Sequence, residues 1–217
     1  MKITWLNHDC FRVNTMGKVI YTDPFGIDEQ QEKADLVLIS HGHFDHMSKD
    51  DIKKVIKQET KIVTSEEGAK ALKCFSLKPG EANDFDGIKV EGVYAYNINK
   101  FRSSGVPFHP KSEGREYIGF VITAEGKRVY HAGDTDAIPE LKNLKADVAL
   151  LPVSGIYVMT AEEALEAVRM IKPEVAIPMH FGAIVGSQAD AYEFKRMVEE
   201  QTKTKVVILA KGKSYEF

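Results

Sequence analysis

Cysteine is almost missing from this chain. Its 217 residues hold two, Cys10 and Cys74. Two are too few for a disulfide framework and lack the paired spacing of a thiolate metal site, so both read as small apolar fillers. Long apolar runs are missing as well. The longest stretches, Ala146 to Val153 and Val206 to Ala210, fall far short of the roughly 20 residues that a membrane-spanning helix needs. The first residues, Met1 to His8, turn polar before the apolar segment of an export signal could form, which gives the expectation of a cytoplasmic protein. Nor is there an excess of one charge. With 29 Lys and Arg against 32 Asp and Glu, the net charge is −3. The two signs are mixed along the chain, leaving no basic footprint for nucleic acid. No linker or low-complexity stretch divides the sequence, and 217 residues with 43% hydrophobic content suit one compact domain over residues 1–217.

Histidine, by contrast, is concentrated. Three of the seven fall in His41-Gly42-His43-Phe44-Asp45-His46, directly after Asp35 to Ser40, an apolar run that reads as a buried strand. The cluster therefore lies on the loop leaving a strand's carboxyl end, where open α/β sheets place their sites. Neutral imidazole and carboxylate oxygen are the ligands that Zn²⁺ and similar divalent ions take. His41 and His43 could hold one ion while Asp45 and His46 turn toward a second. Three histidines interleaved with aspartate at this spacing are hard to explain as packing.

The rest of the chain alternates strands and helices. Residues 2 to 23 read as a small meander ending at Thr22-Asp23-Pro24. Ser48 and Ser65 cap two short helices, with a strand over 61–64 between them and another at 75–77. Asp84 to Gly87 reads as a turn, and Ile88 to Tyr96 as a longer strand. From Asn97 to Arg115 periodicity disappears, and a long loop inside a compact domain is usually functional. A hairpin over 116–131 then delivers His131-Ala132-Gly133-Asp134-Thr135-Asp136, whose glycine lets the backbone turn so that Asp134 points inward. His131 and Asp136 read as strand-end and turn residues. Thr160 opens a helix that Pro173 stops, and Val175 to Met179 leads into His180 and Gly182. A helix over 189–201, with Tyr192, Phe194, Met197 and Val198 inward, and a strand over 206–210 close the chain.

His41-x-His43-x-Asp45-His46 resembles the signature of the metallo-β-lactamase-fold hydrolases, and the Gly133-Asp134-Thr135 element follows in the expected order. The resemblance covers nearly the whole chain. It implies an α/β fold, a four-layer αββα sandwich of two similar halves whose mixed sheets pack face to face. It also implies His41, His43 and His109 around one ion, Asp45, His46 and His180 around the other, and Asp134 between them. One or two divalent ions are expected, zinc or manganese. Many relatives carry the third histidine right at the strand end where this chain has Asn97, so either His109 reaches back from the loop or the Asn97 amide substitutes for it. Asp23 matches an aspartate that supports the metal histidines, a role it shares with simple turn capping. His8 fits either a supporting place or a loop.

Two ions sharing a water lower its pKa and polarise a carbonyl or phosphoryl oxygen. Asp45, His46 and Asp134 are the expected catalytic residues, Asp45 orienting the water, and neither Ser40 nor Ser154 needs a catalytic role. The chain looks closest to compact hydrolases related to ascorbate-6-phosphate lactonase and to phosphodiesterases acting on phospholipid headgroups. The expected substrate is thus a small anionic phosphodiester or lactone, with Lys100, Arg102, Lys111 and Arg115 able to meet its charge. The alternatives are an iron-dependent redox enzyme of the same fold, which typically carries glutamate where His43 stands, and a non-catalytic binding module. Oligomeric state stays open.

Overall fold

The computed structural model describes residues 1–217. Its first half begins as an antiparallel meander of β1 (Lys2–Asn7), β2 (Cys10–Thr15) and β3 (Lys18–Thr22). The sheet then turns parallel through β4 (Leu36–Ile39), β5 (Lys61–Thr64) and β6 (Phe75–Ser76). Helices α1 (Lys49–Val55) and α2 (Glu66–Leu72) make the crossovers, each capped by the serine before it, Ser48 and Ser65. The second half repeats the plan. Strands β7 (Ala82–Phe85), β8 (Ile88–Tyr94), β9 (Ile118–Ala124) and β10 (Lys127–His131) run antiparallel. They are followed by parallel β11 (Val148–Pro152), β12 (Val175–Met179) and β13 (Lys205–Val206). Helices α3 (Ala161–Ile171) and α4 (Gln188–Gln201) make the crossovers here, both opened by capping boxes, at Thr160 and Ser187.

The result is two seven-stranded mixed sheets, ordered β14-β1-β2-β3-β4-β5-β6 and β13-β12-β11-β10-β9-β8-β7, in an αββα arrangement as expected. Strand β14 (Ser214–Glu216) belongs to the first sheet. The layers follow from side-chain alternation. Leu36 and Leu38 of β4 enter the main core with Phe11, Ile20 and the inner face of the second sheet. Val37 and Ile39, pointing the other way, pack with Ile52 and Val55 of α1. A period of two thus buries both faces of one parallel strand.

Three expectations are corrected. The chain does not close on a strand over 206–210: β13 ends at Val206, and residues 214–216 cross back to pair with β1. Strand β7 was hidden because Ala82-Asn83-Asp84 is exposed and polar, an edge strand with a single neighbour. On α4, Ala191, Phe194 and Val198 face the core while Tyr192 is exposed.

Candidate metal centre

Strands β4, β8, β10 and β12 end at the same end of the sandwich, and the loops leaving them carry the seven metal-site residues named from the sequence. Tight turns make this possible. Gly133 has φ +61°, and a Cβ there would lie 2.9 Å from the Ser40 Cβ and 3.0 Å from the Ile118 carbonyl oxygen. Only glycine can therefore bring Asp134 this close to the Ser40–His41 turn.

Asp134 is buried and lies between two groups of imidazoles. Its Oδ2 is 3.3 Å from His109 Nε2 and 4.0 Å from His41 Nε2. Its Oδ1 is 3.3 Å from His46 Nε2 and 3.4 Å from His180 Nε2. His43 joins the first group, its Nδ1 2.9 Å from His41 Nε2. Asp45 joins the second, its Oδ2 3.8 Å from His46 Nε2. The structure thus brings together all seven residues named from the sequence and adds His8, in two sets with potential ligand atoms within 4.8 Å of one another: His41, His43, His109 and Asp134, and His8, Asp45, His46 and His180.

The distal ring nitrogens explain which atoms face inward. Ser40 Oγ donates to Asp23 Oδ2 at 2.6 Å, and so accepts from His41 Nδ1 at 3.0 Å. His46 Nδ1 donates to the same Asp23 oxygen at 2.8 Å. His109 Nδ1 donates to Asn97 Oδ1 at 2.9 Å. Ser154 Oγ donates to the Ile156 carbonyl and faces His180 Nδ1 at 3.0 Å. Each of these four rings is held through its Nδ1 with Nε2 facing inward, the orientation a ligating histidine needs. Asn97 therefore takes the supporting place while His109 supplies the inward nitrogen. Asp23 likewise braces His46 as well as shaping its turn, and Ser40 and Ser154 orient rings without touching the centre themselves.

Several of the inward atoms have no partner within the protein. His46 Nε2, His180 Nε2 and Asp134 Oδ1 are buried without a hydrogen bond, as are both ring nitrogens of His8 and both carboxylate oxygens of Asp9. Buried polar atoms are rarely left so. Two imidazole nitrogens 2.9 Å apart and unpaired acceptors facing a shared carboxylate are a donor set that divalent cations would satisfy.

Electrostatics divide the imidazoles. Burial, followed by the neighbouring imidazoles, holds His41 well below the ordinary histidine value, and burial brings His109 down to about 4. At neutral pH both offer lone pairs. Burial opposes charge at His46, but Asp134, Asp23 and Asp9 outweigh it and raise His46 well above its ordinary value. Burial likewise works against the Asp134 carboxylate, yet His46, His180 and His109 keep it well below the carboxylate range.

Three buried neighbours were underrated or unseen in the sequence. His8 lies with Nε2 3.4 Å from Asp45 Oδ2 and its ring 4.1 Å from that of His180. Asp9, 4.0 Å from His46, had no signal beyond its adjacency to His8. Asp136, read as a bland turn residue, is buried and accepts from Asn97 Nδ2 and from the Ile98 and Asn99 backbone N–H groups, so it anchors the 97–115 loop. Backbone strain gathers here too, with positive φ at three non-glycine residues: His8 (47°), Asp23 (39°) and His180 (58°).

The basic residues of that loop divide. Lys100 is bound to Glu163 at 2.6 Å and sits 3.5 Å from Asp136, and Lys111 pairs with Glu140 at 2.8 Å. Arg115 Nε donates to the Ser112 carbonyl. Arg102 forms no carboxylate pair; its guanidinium lies over the Phe108 ring and its charge reaches His43.

A sandwich of this topology with histidines and aspartates converging at one end defines a metallohydrolase-type centre. The family profile described as "Beta-lactamase superfamily domain" matches residues 2–180, and the chain belongs to that superfamily. Within it, the relatives are metal-dependent hydrolases. A UPF0173 metal-dependent hydrolase of Methanoculleus marisnigri is 36% identical over 224 residues, covering all of this chain and 96% of that one. Its counterpart in Pelotomaculum thermopropionicum is 34% identical over 240 residues, covering all of both. Among solved structures, Igni18, a metallo hydrolase from Ignicoccus hospitalis, is similar with a TM-score of 0.80 at 27% identity, covering all of this chain and 98% of that one. The protein is accordingly a metal-dependent hydrolase. No helix is long and apolar enough to cross a membrane.

Proposed function

We propose that the chain hydrolyses an ester-type bond, a phosphodiester or lactone, at a two-ion centre. His41, His43 and His109 would hold one ion, Asp45, His46 and His180 the other, with Asp134 shared. The observation carrying this reading is the division of Asp134, one carboxylate oxygen facing each histidine group. Divalent ions bound there, zinc or manganese, would acidify water and polarise the scissile oxygen.

The chain's own residues supply the rest. Asp45 is the more open of the two carboxylates in the ligand sets, and it stays ionised: burial works against its charge, but the His8 imidazole 3.4 Å away and the His46 charge hold it below the carboxylate range. Its free oxygen can orient the attacking water and take the proton it loses. Tyr117 packs its ring 5.0 Å from His109 and 5.3 Å from His41, walling the first group from solvent. Arg102 is the cation placed to meet an anionic substrate, since Lys100 and Lys111 are already paired. The small-substrate and cytoplasmic readings from sequence go with this proposal.

The test is turnover of bis-p-nitrophenyl phosphate and simple lactones by zinc- or manganese-loaded protein, beside thioesters and β-lactams. Asp134→Ala and His43→Ala should each lower kcat/KM at least a hundredfold and lower bound metal. Unchanged turnover and metal content in both variants would reject the two-ion reading.

A further inference from the structure

Large hydrophobic side chains are exposed very unevenly in this molecule. At the end away from the metal centre, the turns joining β2 to β3, β7 to β8 and β9 to β10 expose only Met16. At the metal end, Phe44 is 69% exposed, Phe101 50%, Ile156 and Ile184 44% each, and Tyr157 41%. These five sit on the loops that follow β4, β8, β11 and β12, and three of those loops also carry residues of the two ligand sets.

Contacts tie Phe44, Tyr157 and Ile156 to the surroundings of the centre, while Phe101 bridges Pro107, two residues before His109, and Ile184 lies in the Gly182–Val185 turn that follows His180. The Phe44 ring lies 5.9 Å from that of Phe25, which itself lies 6.0 Å from His8. Tyr157 packs its ring 4.7 Å from Phe108, the residue before His109, and its carbonyl accepts from Asn97. The Ile156 carbonyl accepts from Ser154, the hydroxyl that faces His180. None of these side chains is needed by the core beneath, and exposed apolar groups gathered at one place mark a recognition surface.

We infer that this apolar collar receives an extended alkyl or aryl group of the substrate, attached to the ester whose scissile bond reaches the ions. The substrate class is thus an amphipathic ester, its polar end at the centre and its apolar group on Phe101, Ile156, Tyr157 and Ile184. The inference rests on the ester-hydrolysis reading above and extends it. A collar on the loops that carry the ligand sets converts apolar contact into discrimination between substrates, which a surface patch elsewhere could not do.

The experiment is a homologous series of alkyl p-nitrophenyl phosphodiesters, methyl to octyl, and γ-alkyl lactones of the same lengths, all kept below micelle formation. For metal-loaded wild type, kcat/KM should rise about twofold per added methylene, roughly half the effect of complete burial on an open rim. The double variant Phe101→Ser with Ile184→Ser should keep wild-type metal content and wild-type turnover of the methyl ester, while the rise with chain length flattens. Turnover that does not depend on chain length in wild type, or a rise retained in the variant, would overturn the inference. A second arm measures binding of methyl- to octylphosphonate by calorimetry. If no ester is cleaved but affinity still climbs with chain length in wild type and not in the variant, the collar stands and the ester reading falls. Flat binding overturns the collar. Sedimentation supplies the last outcome: a wild-type dimer that the variant converts to monomer would make the collar a contact between copies and overturn the substrate role.

Discussion

Asn97 and His109 hold each other three times over. The Asn97 amide oxygen accepts from both the backbone N–H and the Nδ1–H of His109, at 2.9 Å each, and the Asn97 N–H donates to the His109 carbonyl at 2.7 Å. A residue twelve positions along a loop is thereby fixed as firmly as one on a strand. If two ions bind as proposed, Asn97→Leu should lower affinity for the one at the His41 group by about tenfold to a hundredfold. Chelator competition on the purified variant measures this, and the second ion's affinity should stay within about threefold of wild type, the margin expected where no supporting contact is lost.

His8 offers the complementary test. Its unpartnered ring nitrogens lie beside Asp45 and His180. His8→Phe keeps a flat ring against His180 and Phe25 but removes the nitrogen facing Asp45. It should weaken the second ion by about tenfold and leave the first unchanged, in the manner of outer partners of metal ligands. Stepwise zinc titration followed by calorimetry separates the two.

Gly133→Ala should destabilise the metal-free protein by about 2–3 kcal/mol, because the added Cβ meets Ser40 and Ile118 in a left-handed backbone. For a chain of this length that corresponds to roughly 5–10 °C in Tm. Thermal unfolding in chelator reads it directly.

Glu163 links the 97–115 loop to α3 through Lys100 at 2.6 Å. Burial raises its pKa, but Lys100 and the Thr160 N–H outweigh this and hold it below the ordinary 4.5. A lowered carboxylate contributes stability that is present above the unfolded value and disappears as pH falls through the folded one. Wild type should therefore exceed Glu163→Gln by about 0.5–1 kcal/mol at pH 7. The gap should close as the pH drops below 4.5. Urea unfolding at a series of pH values checks both the gap and its closure.

Much of this was legible before any coordinates, and unevenly so. The His41–His46 run, Gly133-Asp134 and His180 each follow a short buried strand, so strand-end chemistry and spacing carry them without knowledge of the fold. His109 could not be placed that way. Its position depends on Asp136 and Asn97 folding a loop without periodicity, and no local pattern encodes a contact 39 residues away in sequence such as Asn97 to Asp136. Ser48, Ser65 and Thr160 marked helix starts correctly because a cap is a local hydrogen bond. Strands β7 and β14 stayed hidden because both are short, polar and at sheet edges, where pairing with one neighbour decides and side-chain pattern does not. Lys100 and Lys111 illustrate the same limit, since a charge reads as available until its distant carboxylate is found.

His8, Asp23 and His180 share one property, a left-handed backbone at residues that have a Cβ. Such conformations cost of order 1–3 kcal/mol each and persist only where surrounding structure enforces them. The structure packed around these turns therefore has to fix the direction of the three side chains. Loading should then be close to a rigid capture: stripped and loaded forms should superimpose at these three turns.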